Sequence, residues 1–237
     1  MPIHLRIGPP GGGVRQPLLY AQAAIRRVLV KWSEHVQARR PGAQQFSHST
    51  KEDRYPDIFA GVAGMTRPFA RILSFGCSTG EEPAALASYF PDTTVVGADI
   101  SPTVVAGAVR RCAELGNVVI VNSDRQRLQD LGPFDVVFAM SVLCRHPLTA
   151  ELENCAPIYP FSTFENACEQ LAELLTEEGL LVVYNANYRF TDTRVAESFV
   201  PVDIPGVTES GFVTKFGVDG HRLSDQTYRH CVFQRHR

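Results

Sequence analysis

Between residues 70 and 184 short, wholly apolar runs alternate with segments of helical character, and this alternation restricts the fold more than any other feature of the chain. The runs at 72–75, 94–98, 118–121, 134–140 and 180–184 are too short for independent helices and rich in β-branched and aliphatic residues. They are apolar throughout rather than alternating, the pattern of strands covered on both faces. Between them, 81–90 reads as a helix that tolerates Pro83 in its first turn. A second helix opens at Ser101-Pro102 and is ended by Gly116. A third runs to about Thr176 from a capping box of Ser162 and Glu165, and Gly179 opens the strand that follows. Such an order gives an open, mostly parallel α/β sheet whose ligand lies at the carboxyl ends of the central strands.

The flanks read differently. Residues 1–16 carry the run Gly8-Pro9-Pro10-Gly11-Gly12-Gly13 and are expected to be a flexible tail. Leu18, Ala21, Ile25, Val28, Leu29, Trp32 and Val36 recur at helical spacing until Pro41-Gly42 stops them, and a second short helix is expected over 56–65. Residues 17–66 are thus expected to form an N-terminal helical lid and residues 67–237 the core. Near the end of the chain, 211–217 and 229–234 read as two strands of a closing antiparallel hairpin.

Composition removes several partner classes from consideration. Lys and Arg number 23 and Asp and Glu 25, a formal net charge of −2, which gives no electrostatic reason to expect nucleic acid or an anionic membrane. No apolar run approaches the roughly 18 residues of a membrane span, and no secretory signal is seen. The six cysteines, at 77, 112, 144, 155, 168 and 231, contain no C-x-x-C pair and read as reduced, buried thiols of a cytoplasmic protein without a metal site.

The chemistry is concentrated in Ile72-Leu73-Ser74-Phe75-Gly76-Cys77-Ser78-Thr79-Gly80-Glu81-Glu82-Pro83, where a strand meets a glycine turn and a helix. The dinucleotide fingerprint G-x-G-x-x-G is absent. Glu81 and Glu82 moreover occupy the first helical turn, where a pyrophosphate would need free N–H groups; two carboxylates repel it and attract a cation. S-adenosylmethionine, with its ammonium and sulfonium and no phosphate, is such a ligand. Asp99, 23 residues after Gly76 at the end of the second strand, can accept both ribose hydroxyls, with Ile100 beside it. Asp124, after the third strand, can hold an adenine amino group or be an ordinary loop acid.

On these residues the segment from about 70 to 185 resembles class I S-adenosylmethionine-dependent methyltransferases. The string from Gly76 to Pro83, preceded by Ser74 where most of the class has an acid, resembles the chemotaxis receptor methyltransferases in particular. That subgroup carries Asn-x-Thr-x-x-x-Arg ahead of the loop; here Thr50 and Arg54 keep the spacing and His48 replaces the asparagine. The resemblance implies a Rossmann-like, doubly wound, seven-stranded sheet and a cofactor site of Thr50, Arg54, Gly76, Cys77, Ser78, Gly80, Glu81, Asp99, Ile100, Asp124, Ser141 and Val142. In it Glu81 binds the amino group, and Ser141-Val142 line the adenosine side. The subgroup's receptor-docking helical domain and inserted β-subdomain are not expected within these residues, so methyl transfer is implied more strongly than a receptor glutamate as substrate.

The expected reaction is methyl transfer to an oxygen or nitrogen of a small-molecule or carbohydrate-type acceptor, releasing S-adenosylhomocysteine without a metal. Arg54 anchors the acceptor and His146 is the candidate base, or else merely caps its loop. Two alternatives stay open: methyl esterification of a carboxyl group oriented by Arg54, and S-adenosylmethionine binding without catalysis. Tyr184 and Asn185 border the same cleft by topology.

Overall fold

A computed structural model describes residues 44–45 and 52–236. The chain divides into two units, residues 1–40 and 41–237, and every described residue belongs to the second. The expected tail, the expected helix beginning at Leu18, His48 and Thr50 lie outside the described residues.

The elements follow the expected alternation: α1 (Pro56–Ala63), β1 (Arg71–Phe75), α2 (Glu81–Tyr89), β2 (Thr94–Asp99), α3 (Pro102–Arg111), β3 (Val118–Asn122), α4 (Arg125–Leu131), β4 (Phe134–Met140), α5 (Phe161–Glu173), β5 (Leu175–Tyr184), β6 (Phe199–Val202) and β7 (Val232–Arg235). They build one seven-stranded sheet in the order β3-β2-β1-β4-β5-β7-β6, in which β7 alone runs against its neighbours. The chain moves outward from β1 to β3 and then returns to the other side of β1 with β4. The loops leaving β1 and β4 therefore diverge, and a crevice opens at their carboxyl ends.

Two apolar layers explain why the strands carry no polar face. Ile72, Val95, Val136, Phe138 and Val182 point to one side, against Ile58, Phe59 and Val62 of α1 and Leu86 of α2. Leu73, Val96, Val137, Ala139 and Leu181 point to the other, against Leu128 of α4 and Phe164, Cys168 and Leu171 of α5. Alternate residues of one strand thus serve different cores. All six cysteines are free and buried.

Several local expectations are corrected. The capping box at Ser162 and Glu165 does not form: Pro160 precedes the first turn of α5, Ser162 lies inside that turn, and Glu165 accepts instead from the Arg194 amide at 3.1 Å. The helix opened at Pro102 ends at Arg111 rather than Gly116, and Ser101 makes no side-chain cap bond. Strand β5 begins at Leu175, ahead of Gly179, through a register irregularity opposite β4. The short polar helix α4, which buries only Leu128, has no apolar stripe to announce it.

The largest correction is at the hairpin. The partner of β7 is Phe199–Val202, not 211–217; Phe199 lies opposite Arg235 and Val202 opposite Val232. Pro201 disguises this strand, because proline cannot donate to a ladder, yet β6 is an edge strand, where a missing donor can face outward. Residues 211–217 instead lie near the carboxyl end of β5, with the Phe216 amide on the Asn187 carbonyl at 2.8 Å and Asn187 Nδ2 on the Thr214 carbonyl at 2.9 Å.

Candidate functional site at the strand ends

The loop after β1 is folded by its own backbone. The Gly76 and Cys77 amides both donate to the Ala98 carbonyl of β2, at 2.8 and 3.0 Å. Gly76 and Gly80 have φ of +77° and +92°, a region that costs glycine little and other residues more. Neither position has room for a side chain: a Cβ on Gly76 would lie 2.5 Å from Val142 Cγ2, and one on Gly80 2.9 Å from Ala108 Cα. The glycines therefore seat the loop between the β4 loop and α3.

Asp99 closes the loop from β2. One carboxylate oxygen accepts the Ser78 amide at 3.0 Å and the other the Ser101 amide at 2.9 Å, and the residue is 7% exposed. Glu81 is also buried and engaged, with Oε1 2.7 Å from Arg111 Nη2 and both oxygens accepting from the Thr79 hydroxyl. Glu82 turns toward β1, where Oε1 accepts the Ser74 hydroxyl at 2.7 Å. Burial pushes the Glu82 carboxyl up to about 8, against the opposing pull of the Ser74 bond and the Arg54 charge. Burial also pushes the Cys77 thiol up, so that it stays protonated and is no nucleophile.

Beside this loop a cavity of about 460 Å³ opens at the ends of β1, β2 and β3. Phe75, Ile100, Asn122, Asp124 and Asn166 are among the residues that line it. That volume lies within the roughly 300–1,000 Å³ of small-molecule sites. Asp124 also caps α4, accepting from the Arg127 amide at 3.1 Å.

The ends of β4 and β5 are built from uncharged groups. Ser141 Oγ lies 2.6 Å from the Tyr55 hydroxyl and accepts from Asn185 Nδ2 at 2.9 Å, while Asn185 Nδ2 also reaches Tyr55 at 3.3 Å. Ser78, Ser141 and Asn185 hold φ of +49°, +57° and +55°, so each of three strand ends carries a non-glycine residue in the left-handed region. Such backbone costs of order 1–3 kcal/mol per residue and gathers at functional sites. Tyr55 packs edge-on against Tyr184 at 5.1 Å, and the Arg54 guanidinium lies 5.2 Å from the Tyr55 ring centre. Arg54, Tyr55, Tyr184 and Glu209 line a smaller cavity of about 260 Å³.

Beyond this network Lys215 is 2% exposed and donates to the Ala186 and Val213 carbonyls at 2.8 and 3.1 Å; burial pulls its ammonium down to about 8. Cys144, pushed by burial up to about 11, accepts from Gln45 Nε2 at 2.9 Å. His146 packs its ring edge-to-face with Phe212, 5.2 Å between centres.

The structure thus brings Gly76, Cys77, Ser78, Gly80, Glu81 and Asp99 into one loop assembly, and Ile100 and Asp124 into the adjoining cavity. Val142 covers the loop, and Ser141 meets Tyr55, over whose ring Arg54 lies. One residue not singled out in the sequence belongs with them. Tyr55 had one signal, its place next to Arg54. The pairing of Glu82 with Ser74 had none, because the two meet only through the turn.

Residues 72–157 match a methyltransferase domain family. The chain is similar to trans-aconitate 2-methyltransferase of Deinococcus radiodurans, with 38% identity over 77 residues that cover 32% of this chain and 28% of that protein. It is similar also to a tRNA (guanine-N(7)-)-methyltransferase of Chloroflexus aggregans, with 35% identity over 94 residues, 38% of this chain and 41% of that one. The chain therefore spans between 28% and 41% of the length of these relatives. Among solved structures, the N-methyltransferase NodS of Bradyrhizobium japonicum WM9 in complex with S-adenosyl-L-homocysteine superposes with a TM-score of 0.51. The identity is 14%, over 87% of this chain and 98% of that one, a likeness of fold.

Proposed function

We propose that this chain is an S-adenosylmethionine-dependent methyltransferase acting on an oxygen or nitrogen of a small-molecule acceptor. The observation that carries the proposal is the pair Glu81 and Glu82 in the first turn of α2, where a dinucleotide would need to seat its pyrophosphate, with Asp99 at the end of β2 placed for a ribose. Carboxyl groups in that turn leave no open cradle of N–H groups for a phosphate and suit a ligand with an ammonium and a sulfonium. When bound, the cofactor supplies an electrophilic methyl carbon.

The protein's part is binding, orientation and exclusion of water. Asp99, already ordered by two backbone amides, presents its remaining lone pairs to the ribose hydroxyls. Gly76, Cys77, Ser78 and Gly80 shape the floor, Ile100 and Asp124 take the adenine side, and Thr50 belongs with Arg54 at the methyl side. Ser141, fixed by Tyr55 and Asn185, holds the β4 end in place beside Val142. His146 remains the candidate acceptor base. The likeness of the loop to chemotaxis receptor methyltransferases is part of this reading and favours no receptor substrate.

A second reading is methyl esterification of an acidic small molecule. It is favoured by Arg54 at the cavity bounded by Tyr55 and Tyr184, where a guanidinium can take a carboxylate through two parallel hydrogen bonds. It is favoured also by the name of the Deinococcus radiodurans relative. A carboxylate is already nucleophilic and needs no base.

Incubation with S-adenosylmethionine and a panel of alcohol, amine and carboxylate acceptors, read as S-adenosylhomocysteine released, tests the proposal and separates its two forms. Release with alcohols or amines supports the first and release with carboxylates the second. Binding without release for any acceptor would mark a non-catalytic cofactor-binding protein.

A further inference from the structure

Among the described residues Phe212 is the most exposed large apolar side chain, at 66%, yet the backbone that carries it is fastened on both sides. Ser210, Val213, Lys215 and Phe216 around it are all buried. The Asn185 amide donates to the Ser210 carbonyl and Asn185 Oδ1 accepts the Phe212 amide, each at 2.9 Å. Gly211 leaves room for that oxygen, which a Cβ there would overlap. Three residues after Phe212 the Lys215 ammonium bridges the Ala186 and Val213 carbonyls. Burying an ammonium against two carbonyls is costly, and here it fixes the segment to the residues that follow β5.

The same contacts tie Phe212 to the crevice. Asn185 is fully buried, and its Nδ2 reaches Ser141 Oγ and the Tyr55 hydroxyl while its Oδ1 holds Phe212. The chain just ahead, through Val207, Thr208 and Glu209, lines the cavity of Arg54 and Tyr184. From the other side, the Thr214 hydroxyl donates to the Ala150 carbonyl at 3.3 Å, and the His146 ring meets the Phe212 ring edge-to-face. Phe212 thus stands where the loops after β4 and β5 meet. A single apolar side chain on a loose surface loop needs no explanation. This one is an apolar face held rigid beside the candidate base.

Resting on the methyl-transfer reading above, we propose that Phe212 determines specificity: its ring is a wall of the acceptor site and selects acceptors whose hydroxyl, amine or carboxylate is borne by an aromatic group. A ring set offset or edge-on against Phe212 removes apolar surface of both partners from water and is turned so that its nucleophile lies on the His146 side. A short aliphatic acceptor covers too little of the ring to gain from it.

Matched acceptors test the assignment: benzyl alcohol against propanol, benzylamine against propylamine, and phenylacetate against propionate. Each pair shares its nucleophile and differs in the ring. With the full chain and S-adenosylmethionine, release of S-adenosylhomocysteine should show kcat/KM about tenfold or more higher for the ring-bearing member of a pair that reacts. Phe212→Ala should erase that preference through KM, with kcat and S-adenosylmethionine affinity kept within about twofold, and Phe212→Tyr should retain it. The ring is exposed, so its removal leaves no cavity in a core; Val200→Ala, which trims an exposed side chain on β6, should change nothing. Ring contact needs no methyl transfer, so saturation-transfer NMR of benzylamine and phenylacetate on the chain reads it independently, and the signal should vanish in Phe212→Ala. No preference for the ring, or a preference and a signal that persist in Phe212→Ala, overturns the assignment. Self-association that Phe212→Ala abolishes overturns it too, since the residue is then a contact between copies. A signal that depends on Phe212, with no release from any acceptor, sinks the methyl-transfer reading and leaves the aromatic site standing; absence of both overturns the two together.

Discussion

At the ends of β1 and β2 the side chains that matter are acids, held by backbone amides, hydroxyls and one arginine. At the ends of β4 and β5 they are a tyrosine, a serine and an asparagine bonded to one another, with Arg54 and the buried Lys215 nearby. The first half is assembled within one loop and the strand next to it, since Gly76 through Glu82 are contiguous and Asp99 follows from the β1–β2 register. The second half is assembled from positions 55, 141 and 185, which the sheet brings together and nothing in the chain links locally. On the proposed reading the acidic half holds the cofactor, with Ser141 and Val142 lining its adenosine side, while Arg54 and the β5 end face the acceptor. Substitutions on either side can break that division.

The largest effect is expected at Asp99. Asp99→Ala removes the proposed ribose acceptor and takes from the Ser78 and Ser101 amides their carboxylate partner in a buried place. Charge-assisted bonds are worth roughly 1.5–3 kcal/mol each, so affinity for S-adenosylmethionine should fall at least about tenfold and thermal stability should drop with it. An unchanged dissociation constant in a folded variant would remove Asp99 from the cofactor half.

Arg54→Ala should act on the other half. Turnover is expected to fall by about tenfold or more while S-adenosylmethionine affinity changes little, since the guanidinium sits over Tyr55 and beside Tyr184. Loss of melting temperature with normal turnover would mean that Arg54 only fastens the segment ahead of α1. Tyr55→Phe is a milder form of the same test. It deletes the hydroxyl that meets Ser141 at 2.6 Å, costs about 1 kcal/mol, and should slow turnover about fivefold without altering cofactor affinity. Equal losses in affinity and turnover would erase the division between the halves.

Asp124→Ala should have the smallest effect. It loses the cap on α4, about 1 kcal/mol or somewhat less for so short a helix, and weakens S-adenosylmethionine binding by a few-fold if the same acid faces adenine. A stability loss with unchanged affinity would leave Asp124 as a cap alone.

What the residues disclose in advance follows the same division. Strands β1, β2 and β4 are legible because each is an apolar run buried from both sides, β3 because its run is apolar although it lies at the sheet edge, and the loop because its glycines and acids are consecutive. Pro201 hides β6, since the tolerance of an edge for proline is visible only once the edge exists. Ser162 and Glu165 match a capping pattern, but the helix starts at Phe161 after Pro160 and the glutamate is drawn to Arg194. Tyr55, Ser141 and Asn185 form a site only through the order of the sheet, so their hydrogen bonds leave no local signature.

The central claim is that the acidic strand ends hold S-adenosylmethionine rather than a nicotinamide dinucleotide. Calorimetric titration of the full chain with S-adenosylmethionine and, separately, with NADH and NADPH tests it most directly. S-adenosylmethionine should bind saturably and neither dinucleotide measurably; a dinucleotide that binds more tightly than S-adenosylmethionine would contradict that claim.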